Sequence, residues 1–184
     1  MFKISIMKIK SQFIVLLVTA AFVILSCKSS KEPENRGFIV NIGDVCPDFE
    51  MVLANDSLVK MSDLKGKVVM LQFTASWCGV CREEMPHIEK EIWLPLKTKG
   101  LVVIGIDRDE PVETVRKFAT DIKITYPLAL DPGAQIFSRF ALKESGVTRN
   151  VIVDKNGRIA YLTRLFNMEE FNLMKTKIEG LLHQ

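Results

Sequence analysis

The stretch "SWCGVCREEMP", Ser76 to Pro86, follows directly on "VVMLQFTA", Val68 to Ala75, and this junction decides the fold. "VVMLQFTA" is almost continuously apolar, the pattern of a strand covered on both faces in the middle of a sheet. Cys78 and Cys81 stand three apart, and at a helix start that spacing puts both sulfurs on one side of the first turn. A helix that begins where a buried strand ends aims unpaired backbone N–H groups and the positive end of its dipole at Cys78, which favours thiolate over thiol. Cys78 is then the attacking sulfur, and Cys81, one turn deeper, is the thiol that resolves a mixed disulfide. Trp77 adds an apolar surface beside the pair, suited to docking another protein's chain. Spacing alone leaves a redox pair, a metal clamp and two buried thiols as open readings.

On the C-terminal side, Pro86 falls inside a helical pattern that runs on through "MPHIEKEIWLPL" and is expected to kink it. "LVVIGID" is a second buried strand, and Pro111 opens a helix over "PVETVRKFATDI". "YPLAL" reads as a short extra strand and "GAQIFSRFAL" as a short helix. "VIVDKNGRIAYLTR" is a hairpin turning at Asn156-Gly157, and Asn167 with Glu170 resembles a capping box before the last helix, "EEFNLMKTKIEGLL". On the N-terminal side, "FIVNIG" and "DFEMVLA" read as short strands, and "LVKMSDLKGK" as a turn-rich approach to the central strand. This order predicts an α/β fold: a central mixed β-sheet with a parallel centre and an antiparallel edge, and helices on both faces.

The beginning of the chain has another character. Lys3, Lys8 and Lys10 precede the apolar run Phe13 to Leu25, whose 13 residues fall short of the about 20 that cross a bilayer as a helix. Residues 1–26 read as a signal peptide. The run ends in "ILSC", which resembles the lipobox of bacterial lipoproteins; that resemblance implies lipidation at Cys27 and a membrane anchor. "KSSKEPENRG" is polar and aperiodic, so residues 27–37 form a tether and residues 38–184 the folded domain. The 184 residues carry 25 basic and 22 acidic side chains. Removing residues 1–26, with three lysines and no acid, leaves 22 of each. No basic stripe interleaved with aromatics remains, which argues against a nucleic-acid partner. Export also supplies a compartment in which disulfides persist.

"SWCGVC" after a "VVMLQF" strand resembles the active site of the thioredoxin superfamily. Together with "NIGDVCPDFEM" and "VKMSDLKGKVVMLQF", the likeness is to the membrane-anchored TlpA and ResA-like thiol–disulfide oxidoreductases of AhpC/TSA type, over nearly the whole mature chain. It implies a thioredoxin-like fold and reduction of disulfides in exported periplasmic proteins. It also implies electrons from a membrane thiol carrier and no cofactor. Position by position, Cys78 matches the nucleophile and Cys81 its partner. Glu84 matches an acidic residue three after the second cysteine, placed to pass protons as the disulfide opens and raised in pKa by desolvation. Pro86 matches the helix-kinking proline.

Two positions depart from that pattern. Gln72 stands where thioredoxin keeps a buried aspartate, and an amide cannot exchange protons near neutrality. Thr148 stands where the family has a cis-proline facing the dithiol. A cis bond without proline costs about 3 to 4 kcal/mol, so Val147–Thr148 is expected to be trans. Arg149 beside it would lower the Cys78 pKa if its guanidinium lay near the sulfur, an arrangement that raises a thiol peroxidase as an alternative. A metal or iron–sulfur module is a second alternative, although two cysteines are too few for a closed tetrahedral site. Cys46 reads as a small buried apolar residue, and His87 as a partly packed side chain with no second ligand at metal spacing.

Overall fold

The computed structural model describes residues 36–184. The expected signal segment, Cys27 and the tether up to residue 35 lie outside them. Seven strands form one sheet: β1 (Glu50–Leu53), β2 (Leu58–Lys60), β3 (Val68–Thr74), β4 (Leu101–Arg108), β5 (Leu128–Asp131), β6 (Arg149–Val153) and β7 (Ile159–Arg164). Their order is β2-β1-β5-β4-β3-β6-β7. β3 is buried at every position, as its composition requires, and lies between parallel β4 and antiparallel β6. β5 continues the parallel centre, while β1–β2 on one side and β6–β7 on the other make both edges antiparallel. The thioredoxin-like α/β arrangement expected from the sequence is present.

The three longest α-helices among the described residues are α1 (Gly79–His87), α2 (Val112–Asp121) and α3 (Met168–Leu182). Side chains alternate between the faces of each strand, and this sorts the core into two layers. On one face, Thr74 Oγ1 meets Met85 of α1 and Asn150 reaches Glu84 of α1. α3 packs beside α1 there, with Lys175 bonded to Glu91 at 3.0 Å and Phe171 edge-on to His87. The other face carries an aromatic layer in which Phe73 packs against Phe137 and Phe140, and Phe140 against Phe49.

Three local expectations change. "FIVNIG" makes no strand; Phe38 and Val45 form only isolated bridges to Ala141 and Arg158, because Phe38 is drawn into the aromatic layer while Ile39 and Ile42 face solvent. Leu58–Lys60 is a strand rather than a turn approach, paired with β1. "GAQIFSRFAL" breaks into two 3-10 turns, Pro132–Ala134 and Phe137–Arg139, with Gly133 at φ 71° between helical residues. Pro86 lies inside α1: lacking an N–H, it leaves a carbonyl one turn back without its usual donor, and the helix re-spaces into a π-helical stretch at Ile88–Trp93. The hairpin turns as expected, with Gly157 at φ 78° and Asp154 Oδ1 accepting the amides of Asn156 and Arg158. Asn167 caps α3 by accepting from Glu169 and Glu170, while the Glu170 side chain pairs with Arg36.

Gly105 of β4 shows how closely the α1-side layer is filled. A Cβ there would lie 2.3 Å from Leu128 Cδ2 and 3.4 Å from Tyr126 Cε2, both on buried residues. Gly105→Ala is therefore expected to destabilise the domain by about 1–3 kcal/mol through overpacking, read as a lower urea midpoint with unchanged slope.

Candidate functional site

β3 ends at Thr74, and the chain turns through Ala75, Ser76 and Trp77 into α1. Cys78 is the N-cap of α1, with φ −84° and ψ 105°, and its Sγ accepts the Cys81 N–H at 3.2 Å. The first turn of the helix thus places a backbone donor on the outer sulfur, which stabilises negative charge there. Cys78 and Cys81 are joined as a disulfide with Cα atoms 5.3 Å apart. Cys78 keeps 8% of its surface exposed and Cys81 none, so an incoming sulfur can reach only Cys78. Trp77 beside it is 65% exposed.

Thr148 leads into β6 and meets the pair from the opposite side. Its Oγ1 lies 3.1 Å from Cys78 Sγ and 3.3 Å from Cys81 Sγ, and the Val147–Thr148 bond is trans. Two residues on, Asn150 points the same way. Its Nδ2 donates to Glu84 Oε1 at 2.6 Å and to Thr163 Oγ1 at 2.8 Å. Glu84 is buried, and desolvation pushes its carboxyl up to about 7, opposed by the hydrogen bond from Asn150 and more weakly by Gln72. Gln72 itself accepts the Tyr126 hydroxyl at 2.8 Å. A carboxyl that titrates near neutrality thus sits one turn beyond Cys81 on the same helix.

Arg149 is not where the sequence suggested. Its neighbours Thr148 and Asn150 face the α1 side, so strand alternation turns Arg149 into the aromatic layer. Its guanidinium stacks over Phe38 and Phe137 and donates to the carbonyls of Gly146 and Arg36. Burial, then the charges of Arg164, Arg36 and Arg108, lower its pKa to about 10. This removes the arginine that motivated a peroxidase. Cys46 is buried under the β6–β7 turn, its thiol pushed up to about 12 by burial and then by Asp48, far from reactive thiolate chemistry. His87 bonds Glu91 at 2.9 Å and stacks near Phe166. Among the described residues no group of three or more His, Cys, Asp or Glu side chains comes together as a metal-ligand set.

Sequence reasoning missed one neighbour of the site. Asp107, at the end of β4 beside Thr74, is fully buried, and burial followed by the charge of Glu110 pushes its carboxyl up to about 8. Glu110 accepts both the backbone N–H and the hydroxyl of Ser76, two residues before Cys78. The signal was the acid-rich "GIDRDE" closing a buried strand.

Comparison with known proteins places this geometry. Residues 42–162 match the AhpC/TSA family. The chain belongs to that family. It is 29% identical over 149 residues to the thiol-disulfide oxidoreductase ResA of Oceanobacillus iheyensis, covering 79% of this chain and 75% of that one. To ResA of Bacillus cereus it is 30% identical over 120 residues, 65% of this chain and 68% of that one. Among solved structures, a chain from Bacteroides thetaiotaomicron proposed to be a protein disulfide isomerase is 55% identical with TM-score 0.78, over 80% of this chain and 94% of that one. A Chlorobium tepidum protein proposed to be the thiol:disulfide interchange protein DsbE is 28% identical with TM-score 0.70, over 78% and 99% of the two chains. This AhpC/TSA-family member is a thiol–disulfide oxidoreductase, and disulfide-containing molecules are its substrates.

The Glu84 carboxyl gives the domain a pH signature. Its folded pKa of about 7 lies above the ordinary 4.5, so between those values the native state holds a proton that the unfolded chain has released. Stability is full below about pH 4.5, declines as pH rises, and has lost roughly 3 kcal/mol by pH 7.5 through this group. Glu84→Gln is expected to flatten that decline, measured as urea midpoints of the oxidised protein at pH 5 and pH 7.5.

Proposed function

We propose that this protein is an exported, lipid-anchored reductase of disulfides in periplasmic proteins. Residues 1–26 act as its signal peptide, Cys27 as the lipidated residue, residues 27–37 as the tether and residues 38–184 as the catalytic domain. The observation that carries the catalytic assignment is Cys78 Sγ at the α1 N-cap, accepting the Cys81 amide and keeping 8% of the residue's surface open while Cys81 is sealed beneath it. The ResA relatives support the same chemistry.

In the reduced protein the Cys78 thiolate attacks one sulfur of a substrate disulfide. The substrate S–S bond breaks, a Cys78–substrate bond forms, and the departing substrate sulfur takes a proton from water. Cys81 then loses its proton and displaces the substrate from Cys78. This step restores the Cys78–Cys81 disulfide, the second substrate sulfur takes up a proton from solvent as it leaves, and the substrate departs with two thiols and two electrons. Glu84, titrating near neutrality on the helix that carries Cys81, is suited to accept that proton. Gln72 cannot do so. Trp77 offers an apolar face to the substrate chain beside the reactive sulfur. A membrane thiol carrier would return the domain to its dithiol form.

The catalytic test uses reduction of insulin disulfides by the mature domain with dithiothreitol as electron source. Cys78→Ser is expected to fall to the uncatalysed rate, while Cys81→Ser accumulates a mixed disulfide visible by mass. A Cys78→Ser variant as fast as wild type would overturn the assignment. The anchor is tested separately: Cys27→Ala is expected to abolish incorporation of labelled palmitate and to move the protein from the membrane fraction to the soluble one.

A further inference from the structure

Thr148 occupies the place opposite the dithiol with a hydroxyl, and that hydroxyl has chemistry a proline ring lacks. It carries one hydrogen to donate and two lone pairs to accept, whereas proline offers neither an N–H nor a side-chain polar atom. Among the described residues its hydrogen-bond partners are the two sulfurs, at 3.1 and 3.3 Å. Thr148 is buried, so water does not compete for it. β6 holds it in place through the pairing of Arg149 with Phe73, and its carbonyl accepts the Leu165 amide at 3.2 Å.

We propose that Thr148 Oγ1 bridges the reduced pair, donating its hydrogen to the Cys78 thiolate while accepting the S–H of Cys81, and so sets both the acidity of Cys78 and the reduction potential of the couple. A single hydroxyl hydrogen can serve only one sulfur. The Cys81 N–H already favours charge on Cys78, so the two donors converge on that sulfur and leave Cys81 as the thiol. Opening the disulfide adds two electrons and one proton to the pair: the S–S bond breaks, Cys81 takes the proton, and Cys78 keeps the charge. The electrons come from an incoming dithiol, which is itself oxidised to a disulfide. A hydrogen bond to the charged product stabilises the reduced form, and a couple whose reduced form is stabilised is a weaker reductant. Thr148 thereby draws this protein away from the most reducing end of the thiol–disulfide range.

The inference rests on the Cys78–Cys81 assignment and is tested so that the two can fail apart. Thr148→Val keeps the shape and removes the hydroxyl; Thr148→Ser keeps the hydroxyl; Thr148→Ala removes it again should the Val variant not fold. Glu84 on α1, Asp107 and Glu110 at the end of β4, and Arg149 on the far face of β6 are the same in all of them. Two quantities are read on the mature domain: the pH dependence of Cys78 alkylation by iodoacetamide, and the equilibrium with reduced and oxidised glutathione. Loss of one charge-assisted hydrogen bond is expected to raise the proton affinity of the Cys78 thiolate about tenfold. The same loss is expected to move the glutathione equilibrium about tenfold toward the protein disulfide, about 30 mV more negative. Thr148→Ser should return both toward wild type. Wild-type interchange with glutathione, combined with unchanged values in the Val and Ala variants, would sink this inference alone. A wild-type domain inert toward glutathione would sink it together with the catalytic assignment.

Discussion

The site depends on where β3 stops. That strand is sealed at every position between a parallel and an antiparallel neighbour, so its last residue cannot move without disturbing the ladders to β4 and β6. α1 begins five residues later, and the N-cap position falls on Cys78. The amide of Cys81 is then aimed at the Cys78 sulfur by helix geometry alone. This part of the sulfur's charge stabilisation is therefore a property of the backbone, fixed by where a fully buried strand ends.

The layer beneath α1 is polar for a protein core. Gln72, Glu84, Asn150 and Thr163 are all buried there, and Tyr126 adds its hydroxyl. Leaving such groups unpaired in the interior costs free energy, and the pairs Asn150–Glu84, Asn150–Thr163 and Tyr126–Gln72 offset part of it. Glu84 keeps one oxygen without a hydrogen-bond partner. Burial is the physical reason its neutral form persists to near neutrality, and it makes the carboxyl a group that exchanges a proton instead of a fixed charge. The aromatic layer on the far face holds Arg149 by carbonyls and ring faces, a structural role for a cation that strand alternation carries away from the sulfurs.

The elements with strong periodicity or strong punctuation were legible: the apolar runs of β3 and β4, the Asn156-Gly157 hairpin, the Asn167 cap, and the three-residue spacing of the cysteines. The weak ones depended on partners that a local window does not contain. Phe38–Gly43 alternates like a strand, yet only Phe38 is drawn into the core while Ile39 and Ile42 stay exposed, so it remains a bridged loop. Leu58–Lys60 looks like an approach to a turn and becomes a strand only because β1 lies within reach. Gly133 and Ala134, both at positive φ, keep an α-helix from starting where composition reads one, and the segment is left as 3-10 turns.

The amino-acid sequence by itself determined the junction of a buried strand with a helix start, and with it a dithiol whose first sulfur meets a helix N-terminus. These are consequences of hydrophobic period and of residues adjacent along the chain. The family resemblance put Thr148 opposite that dithiol, but only the tertiary structure decided which contacts its hydroxyl makes and what surrounds Glu84. Thr148 is 70 residues from Cys78 and Asn150 is 66 from Glu84, and the antiparallel register of β6 against β3 brings them together. The same register turns Arg149 to the opposite layer, because neighbouring residues of a strand point to opposite faces and no local pattern says which face will receive the helix.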